Sequence, residues 1–172
     1  MSVTVGGDET AGTSSSHATT QTTVRATWRG GRKFEVGGSS GATIVIDGDR
    51  VAGTGPVDTL LGALAACAGP EIIDYLAKRR TPVASLDIVI DAERRGSAPR
   101  RVLGARLEIR IDGAGIDAEH ASRAIDLAFR KYCSVSASLA PDVLIDTQLV
   151  LNGESHEVHR VHAHSEVGND ND

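Results

Sequence analysis

The chain has 172 residues, a formal net charge of −5, and 24 % charged against 40 % hydrophobic residues, the proportions of one globular domain with short tails. Aromatics are only 3 %, which excludes a base-stacking platform, and the acidic balance argues against a phosphate-backbone binder; no nucleic-acid partner is expected. The opening MSVTVGGDETAGTSSSHATTQTT lacks a basic region and an apolar run, and no long uncharged apolar stretch follows, so neither a secretory signal nor a membrane partner is expected. Two cysteines without an export signal imply a reducing, cytoplasmic setting in which thiols persist.

Residues 1–21 are rich in Ser, Thr and Gly and are expected to form a disordered tail. Val24, Ala26 and Trp28 alternate with Thr23, Arg25 and Thr27, which predicts a strand. Gly30-Gly31-Arg32 reads as a turn, Lys33 to Val36 as the returning strand, and ATIVID (42–47) as a third. In GTGPVDTLLGALAACAGPEIIDYLAKRR, Pro56 suits the first turn of a helix, Asp58 its positive end and Lys78 to Arg80 its negative end. The middle is apolar on nearly every side, which predicts a buried helix.

SLDIVIDAERR (85–95) and RVLGARLEIRID (101–112) read as strands joined by GSAPR. Asp117 caps a second helix, DAEHASRAIDLAFRKYC, in which Ala121, Ile125, Phe129 and Cys133 fall four apart on one face. DVLIDTQLVL (142–151) is the last strand, and the polar, His-rich 153–172 reads as a second mobile tail. The expected domain, 22–152, is α+β: two long buried helices against mostly antiparallel strands in the order βββ-α-ββ-α-β.

Cys67 falls mid-way along the first helix and Cys133 at the end of the second. Two readings stand side by side: small buried hydrophobes, the common fate of a free cysteine, or a working dithiol. Pro70, three residues after Cys67, has no N–H for the carbonyl of Ala66 and must loosen the helix beside the thiol. No CxxC or nearby His completes a tetrahedral set, so no metal and no cofactor is expected. His156, His159, His162 and His164 offer adventitious metal binding only, and His120 reads as exposed in the first turn of its helix. Glu71 and Asp74 read as polar groups where the helix leaves the core, and the basic runs Lys78–Arg80 and Arg94–Arg95 as solvated element ends.

GPVDTLLGALAAC (55–67), followed by KYCSVSASL (131–139), resembles the paired signature of the OsmC/Ohr superfamily. The resemblance runs from residue 24 to 151 in its order of elements. It implies an intertwined homodimer that reduces organic hydroperoxides with a dithiol reductant, Cys67 being the peroxidatic thiol and Cys133 the resolving one. A thiolate at neutral pH needs a nearby cation. The family's Gly-Gly-Arg turn makes Arg32 the candidate, with Arg29 behind it. Val57 occupies the position of the family glutamate that would hold this arginine, and Asp58, one residue on, is the substitute. Ser134 follows the second cysteine where proline is frequent. A non-catalytic apolar-ligand-binding domain and a redox sensor of the same fold are the alternatives.

Overall fold

A computed structural model of the protein describes residues 19–162, in two compact units divided between Gly53 and Thr54. The domain expected over 22–152 spans both units. In the first unit β1 (Arg25–Trp28), β2 (Lys33–Gly37) and β3 (Thr43–Asp47) form an antiparallel meander. The β1–β2 turn needs two residues with positive φ, and Gly30 and Gly31 supply them at +89° and +57°. The Trp28 indole N–H donates to the Gly31 carbonyl at 3.0 Å and fixes the turn. Pairing of Trp28 with Phe34, Phe34 with Ile46 and Val36 with Ile44 gathers the apolar side chains on one face. That face stays open: Trp28 is 63 % and Ile44 54 % exposed.

The loop after β3 is organised by one acid. Asp47 is buried, and its carboxylate accepts from the backbone N–H groups of Asp49, Val51 and Ala52 at 3.0, 3.1 and 2.9 Å. These bonds, that from Ala52 foremost, lower its pKa below the ordinary carboxylate value.

The second unit runs α1 (Pro56–Lys78), β4 (Ser85–Arg94), β5 (Val102–Asp112), α2 (Ala118–Leu127), a wide π turn (Ala128–Tyr132), α3 (Ser134–Ala137), β6 (Leu144–Leu151) and β7 (Glu154–His162). Its sheet has the order β4-β5-β6-β7. Only β5 and β6 are parallel, since α2 carries the chain across the sheet between them; the other neighbours are antiparallel. The α+β class and the mostly antiparallel pairing hold.

Leu107, Ile109, Ile111, Ile145 and Leu149 point from the inner face of this sheet into the core. Against them lies the α1 stripe Leu64, Ala68, Ile72 and Leu76, one residue in four, with Ala121, Ala124, Ile125 and Phe129 from α2 and its extension. Each large side chain so buried contributes about 1.5–3 kcal/mol. α1 is long and apolar enough to span a bilayer by composition, but it packs on α2 and β4 as the core helix of this unit. Burial of α1 is one-sided rather than all-round: Leu60 and Ile73 are 39 % and 40 % exposed. A four-stranded sheet and one helix reach a single stripe of a 23-residue helix, not its circumference.

The tail expected over 153–172 is corrected in its first half. Glu154–His162 adds an edge strand to β6, and Arg160 Nε donates to Asp146 Oδ1 at 2.6 Å across the pair. Residues 163–172 lie outside the described residues, as do 1–18 of the N-terminal tail.

Candidate active site

The two cysteines arrive from different local structures. Cys67 sits within regular α1 and is half-buried, packed against the core. Cys133 closes the π turn: its N–H donates to the Ala128 carbonyl at 2.8 Å, a span of five residues instead of four. The backbone then turns extended at Cys133 (φ −76°, ψ 100°), and the residue becomes the N-cap of α3. Its sulfur takes the capping role a hydroxyl usually plays, accepting from the Ser136 N–H at 3.3 Å. The thiol in turn donates to the Leu64 carbonyl at 3.9 Å, one turn before Cys67 on α1. The Cys67 sulfur lies close enough to Cys133 to raise the pKa of that thiol.

Electrostatics separates the pair. Cys133 is only 3 % exposed. Burial pushes its pKa from 9.0 up to about 11; the Ser136 N–H opposes this, and the Cys67 sulfur adds to it. Cys133 is therefore a neutral thiol at pH 7, next to a more accessible Cys67. Pro70 lies inside α1, which stays helical through Lys78. Lacking an N–H, it leaves the Ala66 carbonyl without its usual helical donor, one residue from Cys67.

The other candidates have partners within their own units. Arg32, in the first unit, is exposed, with its Nε 3.6 Å from Asp49 Oδ1, and Arg29 pairs with Glu35 at 2.9 Å. Asp58, in the second unit, occupies the first turn of α1 and accepts from the Gly55 N–H at 3.2 Å, the one half of a capping box that a glycine N-cap allows. It also borders a shallow cavity of about 250 Å³ lined by Leu61, Ala65, Ile88 and Ile90, which Cys67 does not line. Within the second unit the structure brings Cys67 and Cys133 together. Glu71 is half-buried and Asp74 exposed.

Two partners of the thiols were not legible in the sequence. They are the Leu64 carbonyl and the Ser136 N–H, backbone groups that carry no signature of their own. Among the described residues, no group of three or more His, Cys, Asp or Glu side chains is placed to hold a metal.

Comparison with known proteins agrees with this architecture. A family model described as OsmC-like protein matches residues 47–148. Protein YhfA of Escherichia coli K12 is 30 % identical over 122 residues, spanning 70 % of this chain and 91 % of its own. An OsmC-like protein from Mycoplasma pneumoniae superposes with a TM-score of 0.67 at 15 % identity, covering 77 % of this chain and 97 % of that one. The organic hydroperoxide resistance protein OhrB of Bacillus subtilis does so at 0.51 and 19 % identity, covering 77 % and 98 %. At these identities the two structures speak for the fold alone. The family match covers more than half of the sequence, and the chain belongs to the OsmC-like family.

Proposed function

We propose that this protein is a cytoplasmic thiol-dependent peroxidase that reduces organic hydroperoxides. The carrying observation is the asymmetric dithiol: a half-buried Cys67 beside a buried, protonated Cys133 on a facing element. In the first step the Cys67 thiolate attacks the outer peroxide oxygen, the O–O bond breaks, and the alkoxide leaves as alcohol after taking a proton. Cys67 is left as a sulfenic acid. The Cys133 sulfur, losing its proton, then attacks the Cys67 sulfur, water departs, and a disulfide forms. A dithiol reductant, oxidised in the exchange, returns both thiols.

Arg32, with Arg29 as substitute, is the proposed cation that favours the Cys67 thiolate, and Asp58 the acid that orients it. A homodimer completes the site; the open apolar face of β1–β3 and the exposed Leu60 and Ile73 of α1 support a second copy as cover. The name of the Bacillus subtilis neighbour supports the substrate class.

A non-catalytic apolar-ligand domain is the second reading. It draws on Val57 in the glutamate position and on the Asp58 carboxylate capping its own helix. Stopped-flow reduction of cumene hydroperoxide with dithiothreitol separates the two. Saturable consumption lost in Cys67→Ser is expected; consumption no faster than with dithiothreitol alone assigns the protein to ligand binding.

A further inference from the structure

At the opposite end of the helix pair from the dithiol, the last turn of α1 meets the first turns of α2. Cys67 and Arg79 are twelve positions apart, or roughly 18 Å along a helix. Two adjoining cavities lie here, of about 570 and 450 Å³, sharing Tyr75, Arg79 and His120 as walls; Lys78 lines the first and Arg123 the second.

Arg79 differs from the arginines of the surface that hold a carboxylate, and from Arg94 and Arg95, which hold backbone carbonyls. Arg29, Arg101, Arg110, Arg130 and Arg160 each hold a carboxylate. Arg79 instead lies over the Tyr75 ring, 5.2 Å from its centre, and its Nη1 donates to His120 Nε2 at 2.7 Å. Both partners fix the guanidinium, and neither cancels its charge.

Three acids line the cavities, Asp117 in the first and Glu119 and Asp126 in the second, and Asp126 is paired with Arg123 and Arg130. Asp117 accepts from the His120 backbone N–H at 2.8 Å and pairs through its other oxygen with the His120 ring Nδ1. The hydrogen bonds from His120 hold the acid ionised, its pKa below the ordinary value. With Nδ1–H turned to Asp117, Nε2 is the acceptor that Arg79 uses, so His120 stands as a neutral spacer between a carboxylate and a guanidinium.

An exposed arginine ordinarily loses rotamer freedom on meeting an anion, and here that ordering is already in place. The remaining N–H donors of its planar fork suit a carboxylate or phosphate, which they can grip through two bonds. Lys78 adds a second positive charge without a carboxylate partner among the described residues. The cavities are far larger than one oxyanion, leaving room for a body against Tyr75 and the His120 ring.

We infer that this cleft binds a small organic molecule carrying a phosphate or carboxylate group, with Arg79 as its anchor and His120 as the residue that keeps Arg79 off Asp117. The inference does not depend on the thiol chemistry.

The test is an NMR titration of the full-length protein at constant ionic strength with phenyl phosphate, benzoate and inorganic phosphate. Saturable shifts at the Arg79 side chain and at the amides of 78–81 and 118–123 are expected with an organic anion, which also identifies the preferred oxyanion. Arg79→Gln should weaken binding tenfold or more. His120→Ala should do the same with Arg79 still present, because the guanidinium then closes on Asp117; Arg110→Gln should leave binding unchanged. Shifts that grow linearly and alike with all three probes, or saturable binding that survives both Arg79→Gln and His120→Ala, would overturn the site. The wild-type shift map decides the matter even if a variant fails to fold.

Discussion

The surroundings of Cys67 and of Cys133 differ in almost every physical respect, though the two sulfurs are neighbours. Cys67 is one residue in a regular helix, half-open to solvent, with Pro70 withholding one helical N–H donor in the turn after it. Cys133 is sealed in the core, reached through a π turn and fixed by two backbone groups. Accessible and adjustable on one side, buried and held on the other: the first suits a thiol that meets substrate, the second a thiol that waits for its neighbour to be oxidised.

The largest expected effect breaks the pair by its chemistry. Cys67→Ser should lower hydroperoxide turnover by roughly 10³-fold or more, as loss of a nucleophile does. Cys133→Ser should leave the first turnover intact and stop rapid recycling, visible as a burst of one equivalent per active site. Equal losses at both positions in a single turnover would contradict the assignment of roles.

The buried side of the comparison also rests on Phe129, which lies inside the π turn at 2 % exposure. Phe129→Ala should cost about 3–5 kcal/mol in urea unfolding. The same titrations across pH sharpen the contrast further. Folding raises the Cys133 pKa, so the folded state holds the proton more tightly. That contribution is complete below pH 9 and is lost as pH rises toward 11. About 2–3 kcal/mol of stability should disappear over that window, and Cys133→Ala should flatten this part of the profile. On the open side, Ile73 is 40 % exposed, and Ile73→Ala should cost the protomer less than about 1 kcal/mol. If the proposed homodimer forms, the same change should raise its dissociation constant in analytical ultracentrifugation.

Much of the fold was legible because it is written in local periodicity. Strands at 85–95 and 101–112, the helix opening at Pro56 and the Asp117 cap each carry a pattern a few residues long, and each is found within a residue or two. β7 was missed because its sequence, ESHEVHRVH, is mostly polar. An edge strand with exposed side chains needs the ladder of β6 more than an apolar face.

The π turn has no local signature either. A four-residue spacing through Ala121, Ile125, Phe129 and Cys133 suggested a plain helix, and the wide turn before Cys133 altered the path at its last step. The link between Arg79 and His120 spans 41 positions and arises only when the helices pack. The approach of Cys67 to Cys133 was expected from the resemblance to the OsmC/Ohr superfamily, not from any local pattern of the residues.

The most direct test of the dithiol account is to treat the reduced protein with one equivalent of cumene hydroperoxide and read the products by mass spectrometry. Wild type should yield a Cys67–Cys133 disulfide within one chain, and Cys133→Ser a dimedone adduct on Cys67. A wild-type protein that keeps both thiols free, or a sulfenic acid that forms on Cys133 while Cys67 stays reduced, would contradict it.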